Sequence, residues 1–250
     1  MESDEAKQVE FQIKLADKKI KIESLYGEVY QMCSAYLCEE GEVDIEIHSS
    51  RELIEEENGE NREGNAVTDA YRETLAVYRQ IAEEMLAYDT FLMHGSVVAK
   101  AGRAFMFTAA SGVGKTTRTR LWLDQIADSQ VVNGDKPLIR IADQEVIACG
   151  SPWSGKEKLN NNLCLPLAAV YFLERGEETS LRRLSFSEAF VRLLRQTYRP
   201  KEAGKMAKTL ELLKKMENKT AFYLYRNNLK DMDMKWLYEE TMKDLQLFLF

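Results

Sequence analysis

The sequence predicts an α/β fold with α+β character: a mixed sheet around a single helix that follows a glycine loop, with an N-terminal α+β part before it and helices after it. Three observations carry this. The apolar run Ala104 to Thr108 enters a small-residue loop ending at Gly114, and helix-compatible sequence from Thr116 to Ile126 follows directly. Short apolar runs recur from Phe91 to Leu173 with little helical sequence between them, which argues against a plain alternating βαβ sheet. The chain beyond Phe186 then turns largely helical.

The elements follow in order, with residues 1–90 as one part and 91–250 as a second. Val9, Phe11, Ile13 and Leu15 alternate with polar partners, and a turn at Asp17-Lys18 leads to Ile20 and Ile22, the pattern of a hairpin. A short helix over 25–37 and a strand over 43–47 come next. The stretch 51–64 is rich in Glu, Asn and Gly and reads as a surface loop. Val67, Tyr71, Leu75, Tyr78, Ile81 and Met85 recur at helical spacing, so one long helix is expected to bury that stripe, against the second part. Phe91 to Val98 reads as a strand, Gly102 as a turn and Ala104 to Thr108 as the returning hairpin strand. Further strands are expected at 131–132, 138–141, 145–148 and 168–173. Helices over 186–196 and 201–217 are separated at Pro200. A strand over 221–225 and a helix over 236–247 complete the chain.

Composition excludes several classes. With a net charge of −7 and a pI near 5.2, the chain is a poor binder of nucleic acid, which requires net neutralisation of phosphates. The four cysteines show no metal-ligand spacing, and two histidines cannot build a His-rich metal site. The acidic N-terminus lacks the apolar core of a signal peptide, and no apolar run reaches membrane-spanning length. A cytoplasmic protein with no membrane partner is the expectation.

The glycine loop carries the chemistry. Strand, loop, lysine and hydroxyl in that order are the parts of a phosphate-binding P-loop. Amides of Ala110, Ser111, Gly112, Val113, Gly114, Lys115, Thr116 and Thr117 would surround the phosphates of a nucleoside triphosphate such as ATP, at a helix N-terminus that adds partial positive charge. Lys115 would reach the β- and γ-phosphates and the Thr116 hydroxyl would ligate Mg²⁺. The pattern departs from G-x-x-x-x-G-K-[ST] at Ala109, which replaces the first glycine.

Three further features are candidates. Asp135 lies beyond the loop, after Val131-Val132; it would contact the metal, accept a proton, or serve only as a turn residue in Asn133-Gly-Asp135. His94, in an apolar run, is a core histidine or a site residue. Gly150 to Lys158 is a polar loop that would lie over a ligand, with Lys156 or Lys158 on phosphate, or form a surface turn with Trp153 capping the core.

Taken together, His94 to Ile139 resembles the HPr kinase/phosphorylase family and its phosphoenolpyruvate-carboxykinase-like relatives, a bacterial branch of it above all. The shared features are a His-Gly at a strand end ahead of the P-loop, the Ser111-Gly-Val-Gly-Lys115 core and an aspartate after the P-loop helix. The match extends loosely through 152–157 and 166–175. The resemblance implies an ATP- and Mg²⁺-dependent kinase acting on a hydroxyl, serine in a peptide or a small molecule, with Lys115 on the phosphates, Asp135 as base or metal contact and His94 near the transferred group. It also implies a homo-oligomer. The family's first aspartate is Gly134 here. The basic residues Arg118, Arg120, Lys136 and Lys156 are candidates to neutralise charge. A catalytically silent nucleotide-binding module that engages a protein partner is the rival reading.

Overall fold

Alternation of apolar and polar residues sets the first element pair. In the computed structural model, which describes residues 8–57, 67–110, 112–228 and 232–247, β1 (Val9–Leu15) and β2 (Lys18–Ser24) pair antiparallel, with Phe11 opposite Ile22 and Ile13 opposite Ile20. The turn falls one residue earlier than expected. Ala16 and Asp17 both hold positive φ (46° and 65°), the conformation whose twist suits a two-residue hairpin. The chain divides into two units, Met1–Ala87 and Tyr88–Phe250.

In the first unit, β3 (Ile45–His48) lies parallel to β2. Helix α1 (Gly27–Met32) is shorter than the expected 25–37, and a 3-10 turn at Ser34–Tyr36 follows it. The expected loop 51–64 begins instead with a helix, α2 (Arg51–Glu56), because Ser50 caps it by accepting from the Leu53 amide and Ile54 supplies a buried anchor. The remainder, 58–64, lies outside the described residues.

The long helix exists as α3 (Asp69–Glu84). Of the expected stripe, Ile81 and Met85 are buried, Val67, Leu75 and Tyr78 are half-buried and Tyr71 is 48% exposed, while Ala70, Glu73 and Val77 are buried as well. Glu73 is the charged residue the stripe did not include. Its fully buried carboxylate accepts from the Leu25 amide (2.5 Å) and the Tyr26 amide (2.9 Å) just before α1, an arrangement that polarity alone places on the wrong face.

In the second unit, the expected strand Phe91 to Val98 is two strands. β4 (Thr90–Leu92) pairs with β8 (Leu138–Ile141), while β5 (Ser96–Lys100) pairs with β6 (Arg103–Thr108) and β7 (Gln130–Asn133). The chain changes sheet neighbours at Met93-His94-Gly95. β9 (Val146–Cys149), β10 (Cys164–Arg175), β11 (Ser180–Arg183) and β12 (Ala221–Asn227) complete a mixed sheet in the order β4-β8-β9-β10-β6-β5-β7. β12 pairs with β10, and β11, which the sequence did not announce, pairs with β12. β10 is long enough to serve β9 antiparallel at its start and β12 parallel from Ala169, with β6 parallel alongside.

Helices α4 (Lys115–Gln125) and α7 (Met234–Leu247) pack together over an aromatic layer on one face of the sheet. Phe107 stacks on Tyr171 and Tyr171 on Tyr223, at centroid spacings of 5.3 and 5.6 Å, beneath the fully buried Trp122. Phe222, which alternation turns to the opposite face, meets Phe186 of α5 (Phe186–Gln196). Helix α6 (Ala203–Lys214) follows the break at Pro200. The fold is α/β, built on a mixed sheet. No helix among the described residues is long and apolar enough to cross a membrane.

Two consequences reach the site. Strands β6, β7, β10 and β12 all point their carboxyl ends to one end of the sheet, where the antiparallel β5 begins. That end gathers residues far apart in sequence, the usual place for a ligand in an open α/β sheet. In addition, Cys149 and Cys164 are direct cross-strand partners on β9 and β10 and form a disulfide. Sequence order suggested no pairing; sheet register creates it. The disulfide bounds the loop 150–163.

Candidate functional site

The glycine loop that the sequence reads as a P-loop follows β6. Ser111 lies outside the described residues; its neighbours define the loop. Gly112 and Gly114 hold φ of 80° and 101°, a region that strains any residue with a Cβ. Gly114 is the N-cap of α4 and offers no side-chain acceptor, so the first-turn amides of α4 receive no side-chain cap from that position. An anion is their natural partner. Ala110, Thr116 and Thr117 are exposed and Val113 is half-buried. The Lys115 side chain is 9% exposed, and its Nζ donates to the Ala109 carbonyl at 3.1 Å. Burial pushes its pKa down; the Asp135 charge opposes this and Lys136 adds to it.

Ala109, the departure from the P-loop pattern, is not among the positive-φ residues. Its methyl is buried in the aromatic core beside Phe107 and Trp122. Alanine therefore carries no backbone strain there and contributes packing that glycine lacks.

Asp135 is presented by its neighbour Asn133, the last residue of β7. The buried Asn133 Oδ1 accepts from the amides of Asp135 (2.8 Å) and Lys136 (2.7 Å), and its Nδ2 donates to the Ser151 carbonyl (2.9 Å). The Asn-Gly-Asp turn chemistry is thus real, and its product is a fixed carboxylate. One carboxylate oxygen meets His94 Nε2 at 3.1 Å and the other meets Lys136 Nζ at 2.9 Å. Since an ionised carboxylate only accepts, Nε2 carries the proton. His94 sits between β4 and β5 rather than inside a strand. Its amide donates to the Gln196 carbonyl (2.7 Å), its carbonyl accepts from Thr108 Oγ1 (2.8 Å), and the Gly95 amide donates to the Asp135 carbonyl (2.9 Å). Backbone and side chain both tie the two candidates together.

Burial alone would raise the Asp135 pKa, but the His94 hydrogen bond and the Lys136 charge and hydrogen bond outweigh it and hold the carboxyl down at about 2. An Asp depressed below its unfolded value near ~3.9 adds stability above that pH and loses it as pH falls towards the folded value. Urea titrations of wild type and Asp135→Asn should therefore differ by about 2 kcal/mol at neutral pH, the gap closing between about pH 4 and 2.

The loop 150–163 packs on this turn. Trp153, which reads from the sequence as either exposed or a cap on the core, is buried, while Lys156 and Lys158 are exposed. A Cβ on Gly134 would stand 2.8 Å from the Ser154 carbonyl oxygen and 3.2 Å from that of Leu159. At this position, where the resemblance expects an aspartate, the loop backbone occupies the space a side chain would need. Gly134→Asp is expected to lower stability by about 2 kcal/mol, read in urea midpoints, without adding a usable carboxylate.

Of the candidate cations, Arg118 does not face the site. It is fully buried and donates to the carbonyls of Val113 (2.9 Å) and Gly114 (3.1 Å) and to Asn227 Oδ1. Arg120 is exposed and pairs with Glu157. Lys136 is the cation that the fold brings to Asp135. The sequence reading missed Asn133, although the turn motif contained it, and Arg175, at the end of β10, whose guanidinium donates to the Gly112 carbonyl at 3.1 Å.

Mg²⁺ suits this donor set. The Asp135 carboxylate and the exposed Thr116 hydroxyl are hard oxygen donors, and among the described residues no cluster of three or more His, Cys, Asp or Glu could hold a metal by itself.

No family model matches the chain, and no curated protein does. Among solved structures, the chain is similar to the Hpr(Ser) kinase/phosphatase from Coxiella burnetii, at 10% identity and a TM-score of 0.36, over 63% of this chain and 92% of that one. A likeness this distant assigns neither activity nor residue roles.

Proposed function

We propose that the chain is an ATP- and Mg²⁺-dependent phosphotransferase acting on a hydroxyl, a serine of a peptide or a small molecule. The observation that carries this reading is the α4 N-terminus, whose N-cap Gly114 supplies no side-chain cap, with Lys115 close enough to an ionised Asp135 for the two charges to interact. A phosphate cradle beside a fixed carboxylate, His94 and Lys136 is what phosphoryl transfer requires, since its catalysis is mostly positioning and charge neutralisation.

In this reading the loop amides and Lys115 hold the triphosphate, replacing the Ala109 carbonyl as the lysine's partner. Bound Mg²⁺ would supply charge neutralisation between phosphate oxygens, with Thr116 and Asp135 as its protein ligands. Asp135, ionised and hydrogen-bonded on both oxygens, orients the acceptor hydroxyl and draws its proton as the phosphoryl group leaves. His94 Nε2–H fixes that carboxylate, and Lys136 offsets charge on the transferred group.

The silent-module alternative is favoured by one observation: Gly134 leaves no room for a second carboxylate. The test is incubation with γ-labelled ATP, Mg²⁺ and a panel of serine peptides and free serine. Label appearing on a hydroxyl supports the kinase. Saturable nucleotide binding with no label on any acceptor, and none released to water, supports the module.

A further inference from the structure

Three consecutive P-loop carbonyls are already taken by arginines of the same chain. The Gly112 carbonyl accepts from Arg175, and those of Val113 and Gly114 accept from Arg118. In a trans peptide the C=O and the next N–H point in opposite directions. Holding these three carbonyls towards the arginines therefore turns the amides of Val113, Gly114 and Lys115 the other way, as a nest of donors. The two arginines come from different places. Arg118 rises from α4 and is anchored by the buried Asn227 at the carboxyl end of β12, with its guanidinium 5.8 Å from the Tyr225 ring centroid. Arg175 extends from the carboxyl end of β10.

We infer that Arg118 and Arg175 are positioning residues that clamp the P-loop in its phosphate-ready shape before any nucleotide arrives. The inference rests on the phosphate-binding reading of the loop and adds how that loop is held. It explains why Arg118 is buried on the side of the loop away from the amides of Val113, Gly114 and Lys115.

A clamp works by donating hydrogen bonds, whereas a direct phosphate contact works by charge, and substitutions separate the two. Arg175 is exposed, so Arg175→Ala and Arg175→Gln should both fold. The bond to the Gly112 carbonyl is made by the terminal Nη2 of Arg175, beyond the reach of a glutamine amide, so both substitutions remove it. In the nucleotide-free protein, amide order parameters for residues 112–115 should fall from about 0.85 towards about 0.6 in both variants, an effect that a charge contact made only to bound phosphate would not produce. Affinity for MgATP should weaken about tenfold in both. Arg118→Lys keeps the charge but loses the planar fork, and should loosen the loop as Arg175→Ala does.

Unchanged order parameters in both Arg175→Ala and Arg118→Lys would overturn the clamp. So would MgATP affinity weakened in Arg175→Ala with the order parameters of the nucleotide-free protein unchanged, which would make Arg175 a charge contact. If the order parameters respond as expected while the wild type binds no nucleotide, the clamp stands and the kinase reading falls.

Discussion

Asp135→Asn is expected to lower the rate of phosphoryl transfer about 1,000-fold while changing MgATP affinity by less than about tenfold. The substitution keeps size and shape but removes the charge that His94 Nε2 and Lys136 Nζ hold in place. The turn itself survives, because Asn133 Oδ1 grips backbone amides rather than the Asp135 side chain. A fall in kcat with the fold intact therefore reports on chemistry. Steady-state kinetics with the acceptor found by labelling, alongside a urea titration, makes the measurement. Retained turnover would reduce Asp135 to a turn residue and move the proton acceptor elsewhere.

Lys115→Ala should weaken MgATP binding about 100-fold, the equivalent of about 3 kcal/mol from charge-assisted hydrogen bonds to phosphate. Calorimetric titration of both proteins checks it, with adenosine as the control that should not discriminate between them. The stability of the nucleotide-free protein should not fall. Lys115 is 9% exposed, and burial pushes its pKa down, so its charge is disfavoured in the folded state. A residue that burdens the empty protein yet is found to tighten MgATP binding would mark a site kept for binding.

The centre of the fold was legible because its signals are local. An apolar run, a glycine loop and a helix followed one another without interruption, and β6, the loop and α4 appear there. The two hairpins were legible for the same reason. What failed depended on distant partners. Phe91 to Val98 is mostly apolar, and only the separate claims of β8 and β6 break it at His94. The buried face of α3 includes a glutamate that the apolar stripe leaves out, because it faces inward to two amides from another segment. Arg118 looked like a site cation because sequence gives its place on a helix, not which side of the loop that place faces. Asp135 and His94 were both singled out in the sequence, yet the contact between them was visible only once β5 and β7 lay side by side.

Calorimetric titration of the wild type with MgATP is the most direct test of the phosphate-binding claim. The account predicts one saturable site with Kd well below a millimolar, competed by other nucleoside triphosphates and not by adenosine. No heat and no competition at millimolar nucleotide would contradict it, leaving the loop at 109–117 a structural turn before an ordinary helix.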